Sequence, residues 1–536
     1  MRVNRTVLLL LISPLVLAVA AACIQWGVAG LPVVVPPAEA MGPAGFPGWV
    51  RLTHFVNFLF LTLLVRSGLQ ILMDHPRLYG NVHCTPGTEW LRLTPVTVPT
   101  DRVWTAKQDS RHLSPWIGLP GYRHTVGMAR HWHFLSVLFW VLSGATYLVL
   151  LFATGRWERL VPTSWQVVPD AWAVFVHYAT LHLPPEPNGF YAYNALQQLG
   201  YFGVVFILAP LAILTGPSMS PALTARFKWY PKVPGNRQIG RSLHFLVMCG
   251  FVAFLAIHVT MVILTGLLRN MNHVVLGADA TRPLGLALGL AGIAVVILVN
   301  IWANWAAWRQ PRRVQHASRA MVSPVMHFLL NRAAPVAQFG PDDISPFFWV
   351  NGELPTSDEW KQLASDGYRD YRLRVYGMVD NPVELSLTEL QSLGQRDQVT
   401  LHHCIQGWSG IAEWTGLPVA ELLRLVRPRP GAGAVVFYSF ADGQALMEPE
   451  KRGQYYDSLS LDNARHPQTL LAWGMNGAPL TALHGAPLRL RVENQLGFKM
   501  VKWINAIEVV ADVRSVYQGE GGFAQDNEYF GGLANI

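Results

Sequence analysis

Two kinds of hydrophobic pattern divide the chain. Apolar runs of roughly 20 residues, enough to cross about 30 Å of hydrocarbon as helices, fall near residues 7–29, 51–73, 132–153, 196–215, 242–268 and 284–305. The segment DAWAVFVHYATLHL (170–183) is shorter and carries two histidines, and it reads as lying along the membrane interface. Beyond about residue 305 the long runs stop. YRLRVYGMV (371–379), VTLHHC (399–404), AVVFYSF (434–440), LLAWGMN (470–476), PLRLRVEN (487–494) and MVKWINAIEVV (500–510) read as strands. Turn residues and short helices such as LSLTELQSL separate them. The pattern predicts an all-α transmembrane helix bundle followed by a soluble α+β domain. The expected units are an N-terminal membrane helix within 1–30, a helix bundle over 50–275, a last membrane helix at 284–305, a linker at 306–345 and the soluble domain at 346–536.

Composition agrees with a large membrane portion: 51% of the 536 residues are hydrophobic and 14% are charged. The charges then orient it. Loops after the second and fourth spans carry Arg77, Arg92, Arg102, Lys107, Arg111, Arg123 and Arg130, then Arg226, Lys228, Lys232, Arg237 and Arg241, whereas the 30–50 loop has no Lys or Arg. By the positive-inside rule the richer loops are cytoplasmic, and the soluble half after RQPRRVQHASR (309–319) lies on that side of a bacterial inner membrane. The opening MRVNR has no adjacent arginine pair of the kind that marks export of a folded domain. A second reading of the first span is a cleaved signal, since basic residues precede an apolar core and AVAAAC, with Cys23 as a lipid attachment point. Topology also accounts for the net charge of +8, so basicity does not point to nucleic acid. There is no phosphate-binding glycine loop, dinucleotide fingerprint or repeat.

Within the spans the informative residues are histidines. His54, His133, His244 and His258 lie in apolar helices, where a polar ring needs a partner because lipid offers none. His244 and His258 are 14 residues apart on one helix, which leaves them about 40° apart in azimuth and about 21 Å apart along the axis. The antiparallel order places His54 and His258 near the outer face, and His133 and His244 near the inner face. Two pairs at two depths are what two stacked bis-histidine b haems require. Arginines stand three residues before three of them, in RLTH (51–54), RHWH (130–133) and RSLH (241–244), suited to haem propionates. Gly68, Gly144 and Gly250 would let a macrocycle approach. The competing reading is histidines gluing helices together by hydrogen bonds. His131 competes with His133. His75, His177, His182 and His273 read as interface residues without a role.

The stretches RLTHFVNFLFLTLLVRSGLQILMDHPRLYG, RHWHFLSVLFWVLSGATYL and RSLHFLVMCGFVAFLAIHVTMVILTG make this half similar to the bacterial dihaem cytochrome b subunits of the formate dehydrogenase gamma and nickel-hydrogenase type. The resemblance covers about residues 50–275. It implies that His54, His133, His244 and His258 ligate two b haems carrying electrons between a redox centre and the quinone pool.

In the soluble half, the residue that raises a chemical question is Cys404 in VTLHHCIQGWSG, the only cysteine after Cys249. That excludes a disulfide within the domain, a four-cysteine iron–sulfur cluster and a covalent haem attachment. A buried structural thiol, a nucleophile beside His402 or His403, and a ligand to a soft metal all remain open on the residues alone.

FFWVNGELP (347–355), LRVYGMVDNPVELSLTELQSL, VTLHHCIQGWSGIAEWTGLPVAELL, YYDSLSLDNARHPQTLLAWGMNGAPL and HGAPLRLRVENQLGFKMVKWINAIEV resemble, in order, the sulfite oxidase superfamily. That resemblance implies a molybdopterin cofactor with Cys404 as the molybdenum ligand. It also implies Asn351, His484 and Arg489 at the pterin and its phosphate, and a phosphate cradle from Lys499, Lys502 and the backbone of Met500 and Val501. The methionine sulfoxide reductase branch, which this domain also resembles, has a glutamate where Gln406 stands. Sulfite-oxidising members have arginines close after the cysteine, and CIQGWSG has none. Tyr455 and Tyr456 are candidates to line the pocket.

The expected protein is a quinone-coupled, membrane-bound molybdenum oxidoreductase with two haem b groups, reducing an S-oxide or N-oxide. Two alternatives are oxidation of a sulfite-like anion and a non-catalytic redox-sensing or docking module.

Overall fold

The computed structural model describes residues 2–3, 5–29, 43–122, 126–182, 189–227, 229–330, 339–444, 452–519 and 523–524. Arg123, Lys228 and most of the 30–50 loop, used above for orientation, lie outside them.

The apolar runs form helices. These are α1 (Arg5–Ala29), α2 (Gly48–Leu72), α3 (Val126–Ala153), α4 (Val167–Ala179), α5 (Ala195–Ser218), α6 (Arg237–Leu264) and α7 (Pro283–Arg309). Among the described residues α2, α3, α5, α6 and α7 are long and apolar enough to cross a membrane, and α1 contributes a shorter apolar helix, Ile12–Val28. The 13-residue α4 is too short to span. Within α5 a wider turn at Gly203–Leu208 interrupts the regular helix. Asn236 caps α6, its side chain accepting from the amides of Gln238 and Ile239 at 2.9 and 3.0 Å, so the helix starts at the arginine-bearing turn. The expected linker is largely a further amphipathic helix, α8 (Pro311–Leu330). Its apolar stripe is what a composition-based reading as a linker overlooked.

The soluble half is two sheets over one core. One contains β3 (Arg396–His403), β4 (Ser409–Pro418), β7 (Thr469–Met475) and β8 (Arg489–Val492). The other contains β1 (Arg372–Gly377), β2 (Val383–Ser386), β5 (Ala434–Gln444), β6 (Arg452–Ser460) and β9 (Ile504–Val510). Among the described residues, β9 with β1 and one short edge pair run parallel and the other strand pairs are antiparallel. Leu373, Val375, Leu417, Val435, Phe437, Leu471, Leu490, Ile507 and Val509 point between the sheets in one buried cluster. Each such side chain contributes roughly 1.5–3 kcal/mol by leaving water. That leaves the loops at the sheet ends to carry chemistry.

Candidate haem and molybdopterin sites

The four helix-borne histidines meet in two pairs. His133 on α3 faces His244 on α6 with ring centroids 6.4 Å apart, and His54 on α2 faces His258 on α6 at 6.3 Å. A metal ion bonded to two imidazoles at about 2 Å each separates the ring centres by roughly 6 Å.

Hydroxyl groups fix the inner pair's tautomers. Ser67 donates its proton to the Leu63 carbonyl at 2.7 Å, so at 3.0 Å it accepts from Nδ1–H of His133. Thr215 donates to the Leu211 carbonyl at 2.6 Å and accepts from Nδ1–H of His244 at 2.9 Å. In both rings Nε2 is left with its lone pair, the form that ligates iron.

The glycines complete the fit. A Cβ on Gly68 would meet Cε1 of His133 at 3.4 Å, and one on Gly144 would meet nothing within 4 Å. Gly250 differs from expectation, because Leu208 fills the space beside it at 3.2 Å.

The three preceding arginines are placed differently from the propionate role expected of them. Arg51 donates to the Val275 carbonyl at 2.7 Å, Arg130 to the Ile405 carbonyl at 2.8 Å, and Arg241 to the carbonyls of His75 and Arg77, both at 2.6 Å. Arg130 therefore reaches across to the soluble half, and Arg51 and Arg241 hold loop carbonyls of the cytochrome half. His131 turns away from His133, its Nδ1 lying 3.2 Å from the Ser318 hydroxyl of α8.

Cys404 stands at the tip of the hairpin formed by β3 and β4, whose last facing pair is His403 and Ser409. The turn closes by Cys404 N–H to the Trp408 carbonyl and Gly407 N–H to the Cys404 carbonyl, both at 3.1 Å. Gly407 has φ +112, and a Cβ there would meet the Arg241 guanidinium at 3.2 Å, so only glycine fits this turn. The thiol is 3% exposed and burial pushes it up to about 12. It is therefore a protonated thiol at neutral pH. Its hydrogen-bond partner is the side-chain amide oxygen Oε1 of Gln406 at 3.8 Å, which also accepts from Trp408 Nε1 at 3.1 Å. His402 pairs instead with Arg491 at 3.1 Å and packs on Trp408. Neither neighbouring histidine serves the sulfur.

Four of the expected pterin residues converge. Lys502 Nζ donates to the carbonyls of Asn351 and Leu483 at 2.5 and 2.9 Å, and Arg489 donates to the His484 carbonyl at 2.8 Å. Nε of Arg489 and Nε2 of His484 are buried without a hydrogen-bond partner among the described residues. Burial, with Arg489 nearby, holds Lys502 well below its ordinary range. Desolvated cations and orphaned donors fit a phosphate-bearing ligand.

Lys499, Met500 and Val501 do not join them. Lys499 is buried in an ion pair with Asp457 at 2.7 Å, and the amides of Met500 and Val501 bond the carbonyls of Gly497 and Lys499 at 3.1 and 3.2 Å. A tight turn satisfies its own donors and leaves none for a phosphate. Tyr456 is likewise displaced. It lies in a small separate core with Tyr438, Val436 and Ala506, whereas Tyr455 reaches the Phe498 carbonyl at 3.5 Å.

The Cys404 hairpin is seated on the end of the bundle nearer His133 and His244. Arg237 and Gln238, in the first turn of α6, both donate to the Gly407 carbonyl at 3.0 Å, and Gln238 reaches the Ser409 hydroxyl at 3.1 Å. Ser409 in turn donates to the Val82 carbonyl at 2.7 Å. Residues 74–109, between α2 and α3, pack over the same place: Tyr79, Cys84, Trp104 and Ala106 share one buried cluster with Trp349, Trp408 and Cys404. Sequence reasoning missed this loop. Its Arg77 looks like a solvated charge, yet it is 1% exposed and paired with Asp109 and Glu89 at 2.6 and 2.7 Å.

With the geometry in place, the comparisons give the class and then the family. Residues 45–277 match the model described as "Prokaryotic cytochrome b561", and residues 360–518 match the "Oxidoreductase molybdopterin binding domain". The chain is thus a multi-pass membrane cytochrome b joined to a molybdopterin oxidoreductase, with haem b and Mo-molybdopterin as its cofactors. It is 37% identical over 204 residues, 36% of this chain and 70% of the relative, to the "Putative protein-methionine-sulfoxide reductase subunit YedZ1" of Azospira oryzae. The chain belongs to the YedZ1 family.

It is also similar to the protein-methionine-sulfoxide reductase catalytic subunits MsrP of Xanthomonas campestris pv. campestris and Ralstonia nicotianae. The identities are 38% and 33%, each over 26% of this chain, and the chain spans 45% and 44% of those relatives. Among solved structures, the sulfane dehydrogenase SoxCD of Paracoccus pantotrophus matches at 21% identity over 27% of this chain and 40% of its own, with a TM-score of 0.24.

Proposed function

We propose that this protein takes electrons from the quinone pool through two haem b groups to a cytoplasmic Mo-molybdopterin centre, where a sulfoxide or N-oxide is reduced. The observation that carries the reading is the alignment of three sites along α6. The His54/His258 pair lies far from the soluble half, the His133/His244 pair lies near it, and the Cys404 hairpin is gripped by the first turns of the same helix.

Bound molybdopterin would supply two-electron oxygen-atom transfer, and the haems would deliver electrons singly. The chain's own work is to hold and exclude. Cys404 would hold the metal, and Asn351, His484, Arg489 and Lys502 would hold the pterin and its phosphate. Trp349 and Trp408 keep bulk water from the sulfur. Overall, R₂SO with two electrons and two protons gives R₂S and water, and a quinol supplies the electrons. The names of the YedZ1 and MsrP relatives favour a sulfoxide, in this chain as in theirs. Arg130, Arg237 and Arg241, which approach the cysteine loop, hold backbone carbonyls, which disfavours a sulfite-like anion.

The test is the metal content of the detergent-purified full-length protein, followed by substrate-dependent reoxidation of its reduced haems. About one molybdenum and two irons per chain are expected, with haem reoxidation by methionine sulfoxide or dimethyl sulfoxide. Cys404→Ala should keep both haems and stop reoxidation. Iron without molybdenum, or reoxidation that survives Cys404→Ala, overturns the reading.

A further inference from the structure

His75, set aside in the sequence as an interface residue, is fully buried, and neither ring nitrogen has a hydrogen-bond partner among the described residues. A neutral imidazole carries one donor and one acceptor, and native structures rarely bury both unpaired. Another polar atom from the same loop is orphaned beside it, the Tyr79 hydroxyl, whose ring stacks on His75 at 5.9 Å.

The surroundings connect this group to the cysteine. Trp349 sets its edge against His75 at 4.8 Å, and it shares a buried cluster with Tyr79 and Cys404. The preceding residue, Asp74, accepts from Gln406 Nε2 at 3.5 Å through its backbone carbonyl. Arg241 clamps the His75 carbonyl at 2.6 Å while its guanidinium lies under Gly407. The ring is therefore fixed by its backbone and free at both nitrogens. The turn that carries Cys404, CIQGWSG, offers no arginine of its own to bind an oxygen.

We propose that His75, supplied by the cytochrome half, donates its ring N–H to the oxygen of the substrate bound at the molybdenum site, so that the pocket is composite and incomplete in the soluble domain alone. This rests on Cys404 being the molybdenum ligand. The ligand class is a compact oxo compound with an exposed acceptor oxygen, a sulfoxide or N-oxide. The role is a hydrogen bond, and no proton transfer is assigned to it.

The test uses the full-length protein carrying both cofactors, as wild type, His75→Phe and His75→Gln. One readout needs no turnover: the molybdenum EPR signal of the partly reduced protein, in which exchangeable-proton splitting reports donors near the metal. The other is the split between KM and kcat for dimethyl sulfoxide and methionine sulfoxide. In His75→Phe, molybdenum and iron contents should equal wild type, the EPR signal should shift, and KM should rise at least about tenfold with a smaller fall in kcat. The amide of His75→Gln, which keeps a donor, should recover part of the loss. An unchanged molybdenum signal overturns the proposal. So does a change confined to the haem spectra, which would put His75 on the cytochrome side. If the wild type turns over no sulfoxide, the proposed function fails, and the EPR comparison still decides the place of His75.

Discussion

The two histidine pairs have the same spacing and different surroundings. At the inner pair each ring is tied through Nδ1 to a hydroxyl that is itself tied to the backbone, and the soluble half is seated on that end of the bundle. At the outer pair aromatic rings take over: Phe254 stacks on His258 at 5.5 Å and Tyr201 meets it edge-on at 6.1 Å. Rigid tethers suit a site that exchanges electrons with one fixed neighbour. A softer aromatic setting suits one that meets a mobile partner in the lipid.

Removing ligands should break the comparison most sharply. His133→Ala is expected to lose one of the two haems and reduce quinol-to-substrate electron flow to background. His258→Ala should also lose one haem, yet leave the remaining haem reoxidised by substrate and no longer reduced by quinol. Haem content with stopped-flow spectroscopy at each step separates the two. If both variants fail at the same step, the division of labour is wrong.

A smaller effect sharpens it. Ser67→Ala or Thr215→Ala removes the partner of one Nδ1–H, and loss of such a partner weakens metal binding roughly 10–100-fold. Redox titration should show one haem midpoint moving in each variant and the other staying in place. Movement of both would mean the tethers do not belong to the inner pair alone.

At the seam, Arg237→Met with Gln238→Leu deletes three hydrogen bonds to the hairpin and should cost about 1–3 kcal/mol. Calorimetry should show the soluble half unfolding earlier and the bundle unchanged.

The smallest effect is on pH dependence. Burial drives His403 down to about 3 and His402 well below its ordinary value, while the unfolded chain titrates near 6.5. Between those values the unfolded state binds more protons, so this contribution is complete above about pH 6.5 and is lost as pH falls toward about 3. Thermal midpoints of the soluble half should decline over that window, and a His403→Gln variant should decline less.

Much of this was legible in the sequence. Apolar runs gave five of the six expected spans, the first falling among the described residues on a shorter apolar helix, and the 14-residue interval on one helix matched His54 with His258 and His133 with His244. Short-range alternation put Cys404 at a strand end. The loop between α2 and α3 was not legible: it lacks period, and its buried Arg77 and Asp109 resemble surface charge until the fold brings them together. The phosphate cradle was only half legible, since residue types at 499–501 do not reveal that the local turn uses up their donors. Tyr455 and Tyr456 point to opposite faces of one strand, and alternation alone cannot say which face holds the site. For α8 the error was one of composition, because arginine-rich segments with proline read as connectors even when they carry an apolar stripe.

One helix carries more than its share. α6 brings one histidine to each pair, and its first two turns hold the cysteine hairpin through Arg237 and Gln238 and the loop over it through Arg241. It acts as a ruler, setting the intervals between the two histidine pairs and the cysteine hairpin by residue count, so that sliding it moves every mark together. Grafting this catalytic domain onto another cytochrome would therefore mean transplanting those two turns, along with the loop they hold.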